Sequence, residues 1–124
     1  MVIVLLIVIS CYAVFTYKRN LIWKDELSLW KDVVHKSPKK ARGYYMLGNA
    51  YADQGNVQQA ISNYNKVIEI NPHLAETYNN RGIAYYNMKN YDKAWEDVHK
   101  AEGLGCAVNP EFLAALKELS GRDK

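Results

Sequence analysis

The sequence predicts an all-α protein, namely a short solenoid of helix-turn-helix repeats preceded by a transmembrane helix. Two observations predict this fold class. The first is an uncharged apolar run, MVIVLLIVISCYAVFTY, at residues 1–17 of a chain of 124 residues. The second is a set of residues that recurs at an offset of 34 positions further along the chain. Such repeats are typical of solenoids, because one unit cannot bury its own apolar face and has to stack on the next.

The first element is a predicted transmembrane helix at residues 1–19. As a helix, the uncharged run spans about 25 Å, against roughly 30 Å for the hydrocarbon core of a bilayer, and Lys18 can extend to the interface. A cleaved signal peptide would need a basic segment before the apolar run, which this sequence lacks. A lipoprotein signal, suggested by VISC at residues 8–11, is opposed by the apolar residues that follow Cys11. A transmembrane anchor is therefore favoured.

Positive charge is concentrated beside this helix. Eight Lys/Arg and three Asp/Glu lie between Lys18 and Arg42, whereas eight Lys/Arg and ten Asp/Glu follow from Gly43 onward. A basic segment next to a membrane helix is attracted to anionic lipid head groups. A nucleic-acid-binding domain would instead carry its basic residues on the folded body, together with groups that read or stack on bases. No nucleic-acid partner is predicted.

The second element, residues 20–37, is predicted to be an amphipathic helix that forms half a repeat. Asn20 can cap its N-terminus. Its apolar residues share one helical face: Leu27, Trp30, Val33 and Val34. This helix would take the place of a second repeat helix, with the membrane segment replacing the missing first one.

Residues 38–74 and 75–106 are predicted to be two full repeats, each made of two antiparallel helices. SPKKARGYYMLGNAY in the first copy aligns with NPHLAETYNNRGIAY in the second. Glycine inside a helix costs roughly 1 kcal/mol relative to alanine, so the presence of Gly48 within a predicted helix requires a structural explanation. We expect Gly48 to lie where the two helices touch, Gly55 to form the turn in the left-handed conformation, and Asn56 to cap the second helix.

The last element, residues 107–124, is predicted to be a capping helix and tail. Pro110 lies 38 residues after Pro72, so the period is broken here. Three apolar residues predict a short helix that covers the last pair: Phe112, Leu113 and Leu116.

The two repeats resemble the tetratricopeptide repeat, whose pattern is an aromatic residue, Leu-Gly, Tyr, Ala, another aromatic residue and Pro. The first copy matches throughout, with Tyr44, Leu47, Gly48, Tyr51, Ala60, Tyr64 and Pro72. The second departs at three positions, where Arg81 replaces leucine, Val98 the aromatic residue and Cys106 proline. The resemblance covers residues 38–106. It implies a tetratricopeptide-type solenoid that binds a peptide or protein partner in a concave groove.

In that family the groove is lined by the outward face of each first helix. The corresponding residues here are Arg42, Tyr45, Asn49, Glu76, Asn79, Asn80, Ile83 and Tyr86. Amide side chains hydrogen-bond peptide main chain, and tyrosines supply contact area at low entropic cost. The alternative is that this row is simply a solvated face.

Some members of the family hold a C-terminal carboxylate with two asparagines and several cationic side chains. Asn49 and Asn80 have the required separation of 31 residues. Tyr45, however, replaces the first lysine of that site, while Pro110 and Ala114 occupy its third-repeat positions. A carboxylate clamp is therefore not predicted.

Nothing in the sequence predicts catalysis, a metal site or a cofactor. The three histidines are scattered and have no cysteine or carboxylate at metal-ligand spacing. Three carboxylates are expected to face solvent on the outer face of the last repeat: Asp92, Glu96 and Asp97. We predict a membrane-anchored protein-interaction scaffold and no enzyme activity in this chain.

A second resemblance supplies an alternative. The apolar span followed by RNLIWKDELSLW is similar to the C-terminal end of polytopic membrane glycosyltransferases that carry tetratricopeptide tails. The residues that carry it are Arg19, Asn20, Trp23, Asp25, Glu26, Leu29 and Trp30. It implies a catalytic part upstream of Met1, absent from this chain, and repeats on the extracytoplasmic side. Lys18 and Arg19 indicate the cytoplasmic side by the positive-inside rule. We favour the extracytoplasmic side and leave the alternative open.

Overall fold

The computed structural model describes residues 1–122, with the backbone alone at Trp23. Over that range the chain is helical, without strands. The helices are α1 (Val2–Lys36), α2 (Ala41–Asp53), α3 (Val57–Ile70), α4 (Ala75–Asn87), α5 (Tyr91–Gly103) and α6 (Pro110–Ser120). The predicted all-α fold class is confirmed.

The helices form two pairs, α2 with α3 and α4 with α5, and these pairs stack. α1 packs on α2, α3 on α4, and α6 on α5. Gly55 turns the chain between α2 and α3 with φ +76°, and the Asn56 side chain accepts a hydrogen bond from the Gln59 amide. Both predictions for this turn are confirmed. In the second pair Asn90 caps α5 in the same way, but Lys89 adopts the left-handed conformation with φ +59°.

The helices touch at the glycines, as expected. A Cβ atom added at Gly48 would lie 2.6 Å from Cε1 of Tyr64, which is 1% exposed. One added at Gly82 would lie 3.3 Å from Cβ of Asp97 and 3.4 Å from the Ala94 carbonyl oxygen. Gly48 is therefore required because the ring of a second-helix tyrosine occupies the space of its missing side chain.

The end of the array is closed by α6. Leu116 is fully buried in the core around Trp95 and Val98, and Phe112 and Leu113 pack against that core. Pro110 is not the counterpart of Pro72, because it begins a helix, where its missing N–H is harmless, instead of following one. Counted by helices, the break in the period is one residue, since α2, α4 and α6 begin at residues 41, 75 and 110.

The expectation that Asn20 caps a separate helix is wrong. α1 runs without interruption from Val2 to Lys36, and Asn20 lies inside it. The sequence around this position contains no proline or glycine that would end a helix, so the membrane segment and the amphipathic segment join. The amphipathic segment packs on the repeats through Val33 and Val34. Their Cγ1 atoms lie 3.2 and 3.0 Å from the position that a Cβ atom added to Gly43 would take. The division of α1 into two domains stays a prediction.

The expectation that Asp97 faces solvent is also wrong. Asp97 is 2% exposed, and its two carboxylate oxygens accept hydrogen bonds from Nε and Nη2 of Arg81 at 2.8 and 2.6 Å. Nη1 of Arg81 donates to Asn65 on α3 at 2.7 Å. Burial acts to lower the pKa of Arg81, but the Asp97 carboxylate outweighs it and leaves that pKa raised. Arg81, which replaces the leucine of the repeat pattern, is therefore paired with the buried carboxylate of Asp97. Glu96 and Asp92 are exposed, as expected.

Candidate functional site

The groove is the face shared by α2 and α4, and all eight sequence-predicted residues lie on these two helices. Five of them are partly buried: Tyr45, Asn49, Asn79, Asn80 and Tyr86. Three are exposed: Arg42, Glu76 and Ile83. α2 and α4 contact each other directly, so side chains one repeat apart in the sequence meet across the groove.

A bridge of hydrogen bonds crosses the groove. Nδ2 of Asn80 on α4 donates to the hydroxyl oxygen of Tyr45 and to Oδ1 of Asn49, both on α2, at 3.1 Å each. The Tyr64 hydroxyl, from α3, donates to the same Asn49 oxygen at 2.8 Å. Burial raises the pKa of Tyr64 above its ordinary value of 10.0, so this phenol stays neutral and keeps its donor hydrogen. We call these four residues the amide bridge.

The amide bridge leaves specific donors free for a ligand. Both amide hydrogens of Asn80 are used within it. In the described part of the chain, the amide hydrogens of Asn49 and the hydroxyl hydrogen of Tyr45 donate to no other residue. These donors match the carbonyl oxygens of an extended peptide, which need partners when water is excluded.

Two cavities open on either side of the amide bridge. The first, about 230 Å³, lies towards the N-terminal ends of α2 and α4, and its walls come from Arg42, Tyr45, Leu74, Glu76 and Thr77. The second, about 330 Å³, lies towards the C-terminal end of α2, and its walls come from Asn49, Ala52, Asp53, Tyr64, Asn80 and Ile83. The groove therefore contains two cavities, each large enough for a side chain, separated by the amide bridge.

Two predicted residues lie apart from these cavities. The ring of Tyr86 packs edge-on against Phe112 of α6, with centroids 5.5 Å apart, and lies 5.9 Å from the ring of Tyr91. Tyr86 thus contributes to the docking of α6. Asn79 donates a long hydrogen bond of 3.5 Å to Oδ1 of Asn80, while its own Oδ1 is buried and meets no donor among the described residues.

Several residues that line the site could not be predicted from helical spacing. Tyr64 matches the second aromatic position of the repeat pattern, and in the structure its hydroxyl also fixes Asn49 in the amide bridge. A buried phenol needs a hydrogen-bond partner, so tyrosine at this position was a usable signal. Asp53, Leu74 and Thr77 lie at or beyond helix ends or beneath the surface, where helical spacing alone does not show that they line a cavity.

The chemistry available in the groove is hydrogen bonding and packing. Within residues 1–122, no three His, Cys, Asp or Glu side chains come together in a group that could hold a metal ion. The amide bridge consists of amides and phenols, which donate and accept hydrogen bonds.

A protein-family model described as "TPR repeat" matches residues 48–89. The chain is 28% identical over 106 residues to Protein O-mannosyl-transferase Tmtc3 of Drosophila melanogaster, an alignment that covers 86% of this chain but only 11% of that protein. It is 34% identical over 58 residues to an uncharacterized protein of Methanocaldococcus jannaschii, covering 47% of this chain and 67% of that protein.

Among solved structures, the first TPR of Spaghetti (RPAP3) bound to the HSP90 peptide SRMEEVD superposes with a TM-score of 0.72 at 18% identity. The superposition covers 86% of this chain and 83% of that one. At this level of identity the likeness shows the fold alone.

Proposed function

Because the chain belongs to the tetratricopeptide repeat family, we propose that it is a membrane-anchored scaffold whose groove binds an extended segment of a protein partner. The observation that carries this proposal is the amide bridge. It fixes Asn49 and Tyr45 so that their remaining donors are held in place before a ligand arrives, which lowers the entropic cost of binding. The RPAP3 domain, which shares the fold, was solved with a peptide bound.

Membrane anchoring is proposed from the N-terminal half of α1. Its side chains are exposed throughout residues 1–22, and the helix is long and apolar enough to cross a bilayer by length and composition. An exposed apolar surface of this extent needs a covering in water, and a lipid bilayer supplies one. If the anchor is correct, the protein resists extraction from membranes by alkaline carbonate and is released by detergent.

The side of the membrane on which the repeats lie can be tested in the same preparation. Ser62 is exposed on α3 and lines neither cavity of the groove. In sealed vesicles of known orientation, Ser62→Cys in a Cys106→Ser background should react with a membrane-impermeant maleimide only from the extracytoplasmic side. Labelling from the cytoplasmic side alone would support the positive-inside rule instead.

The groove is tested by affinity purification of the full chain from detergent-solubilised membranes. The double variant Tyr45→Ala, Asn49→Ala removes the free donors and half of the amide bridge. It should lose the partners recovered with the wild type while its circular dichroism stays helical. Gln58→Ala, an exposed change on α3 outside the groove, is the matched control and should retain them. Equal recovery with a folded double variant would contradict the proposal.

A second candidate function is that the chain is the C-terminal tail of a polytopic membrane glycosyltransferase. The alignment with Tmtc3 favours it, because 106 residues exceed the length from α2 to the C-terminus and so reach into α1. In this case the repeats present or organise a partner for a catalytic part that lies upstream. An upstream reading frame that encodes further apolar spans would support this candidate, and an in-frame stop codon just before Met1 would exclude it.

A further inference from the structure

Building on the proposed groove function, we propose that the occupant is an internal, extended peptide segment with an apolar side chain and a Lys or Arg about four residues apart. The apolar side chain fills the first cavity. The cationic side chain enters the second cavity beside Asp53, and the main chain between them lies over the amide bridge. This inference specifies the partner chemistry, whereas the proposed function requires only that the groove binds a segment.

The first step concerns the end of the peptide. A terminal carboxylate needs cationic or charge-assisted donors. Both amide hydrogens of Asn80 are already used, and the described walls of the second cavity contain no cationic side chain. Arg42 lies at the first cavity, whose walls also contain the carboxylate of Glu76. The neutral donors of Asn49 and Tyr45 suit main-chain carbonyls, so the groove fits an internal segment.

The second step concerns the first cavity. Its walls are the ring of Tyr45, the side chain of Leu74 and the fully buried Thr77, with the two charged residues at the mouth. A recess of about 230 Å³ accommodates one aliphatic or aromatic side chain. Burial of that side chain supplies the hydrophobic contribution to binding.

The third step concerns charge in the second cavity. Asp53 contributes a carboxylate to walls that are otherwise neutral. It is close enough to Tyr64 to help raise the pKa of that phenol, after the larger effects of burial and of Tyr45. Asp53 also makes no ion pair with any described residue. Asp53 is exposed, so a cationic side chain placed here would meet an uncompensated carboxylate at about the strength of a single exposed ion pair.

The fourth step fixes the separation. On α2 the first cavity is lined by residues 42 and 45 and the second by residues 49, 52 and 53, so the two sets lie about eight residues, or about 12 Å, apart along the helix. An extended chain advances about 3.3 Å per residue, so four residues cover that distance. Alternate side chains of an extended segment share a face, so positions i and i+4 point into the groove together. The geometry is compatible with either direction of the peptide chain.

The test is a selection of random peptides, displayed with fixed flanking residues at both ends, against the full chain in lipid nanodiscs. Wild type should enrich sequences with Lys or Arg about four positions from an apolar residue. Asp53→Lys should shift that position to Asp or Glu. Glu96→Lys, an equal charge change at an exposed position on α5, should leave the preference unchanged. For the best wild-type peptide, Asp53→Asn should weaken binding about two- to fivefold, the range of a single exposed ion pair.

Three results separate the inference from the function on which it rests. Enrichment of neutral or acidic sequences, or the same preference with Asp53→Lys, would overturn the inference while leaving groove binding intact. Tighter binding of SRMEEVD with a free carboxylate than of its C-terminal amide would overturn the requirement for an internal segment. Enrichment no greater for wild type than for Tyr45→Ala, Asn49→Ala would contradict the groove function itself.

Discussion

Substitution of Gly48 by alanine tests the packing that positions the amide bridge. The added Cβ would lie 2.6 Å from Cε1 and 2.8 Å from Cδ1 of Tyr64. Real Cβ contacts are longer, so the ring has to move. Tyr64 is 1% exposed and holds Asn49 at 2.8 Å through its hydroxyl. It therefore has little room, and its displacement weakens the amide bridge as well as the contact between α2 and α3.

The magnitude follows from two opposing effects. Alanine is favoured over glycine inside a helix by up to about 1 kcal/mol. Overpacking of a well-packed core costs about 1–3 kcal/mol. At Gly48 the overpacking dominates, and subtracting the helix-propensity gain leaves an expected net loss of up to about 2 kcal/mol in the free energy of unfolding. Gly82→Ala, with its nearest contacts at 3.3 and 3.4 Å, should be close to neutral.

Gly103→Ala is the matched control. It lies in α5 with no atom within 4 Å of the added Cβ, so it should stabilise the protein by up to about 1 kcal/mol. The assay is urea unfolding of the full chain in micelles, followed by circular dichroism at 222 nm. The expected order of stability is Gly103→Ala above Gly82→Ala above Gly48→Ala. Equal stability of the Gly48 and Gly103 variants would refute the close contact between Gly48 and Tyr64.

Three further predictions concern stability. Lys89→Gly should raise the free energy of unfolding by about 1 kcal/mol, because φ +59° strains a residue that has a Cβ; a lower urea midpoint would contradict this. Arg81→Leu should cost about 2–3 kcal/mol because it leaves the Asp97 carboxylate buried and unpaired. Adding Asp97→Ala should recover part of that loss, and strictly additive losses in the double-mutant cycle would argue against the pair. Because burial raises the pKa of Tyr64 above 10.0, the unfolded chain loses this proton first. The contribution of this group to the free energy of unfolding should therefore be fully present below pH 10 and should decrease as the pH rises above 10. The decrease should be less steep in Tyr64→Phe.

The fold could be predicted because key residues of the repeat each have a local physical role. Gly48 marks a contact between helices, Gly55 a left-handed turn and Asn56 a cap, and each acts within a few residues or across one helix pair. The new helix expected to begin at Asn20 is absent from the structure for a related reason. A possible cap begins a helix only where the chain would otherwise stop, and no residue stops α1 at that point.

The site could be predicted only in part. Helical spacing predicted that Tyr45, Asn49 and Asn80 face the groove. It did not predict the hydrogen bonds that join them, because these depend on how two repeats stack. The burial of Asp97 was missed because Arg81 and Asp97 were considered separately, one as a departure from the repeat and the other as a surface charge. Their bidentate pair forms across the two helices of one repeat, so only the two positions considered together would have indicated it.

Site-specific photo-crosslinking in native membranes tests the central claim most directly. A benzophenone amino acid replaces Ile83, which lines the second cavity, or Gln58, which is exposed on α3 outside the groove. We expect a discrete crosslinked partner from position 83 that is absent from position 58 and disappears when Tyr45→Ala and Asn49→Ala are introduced. Equal crosslinking from both positions, or a crosslink at position 83 that survives in the folded double variant, would contradict a partner-binding groove.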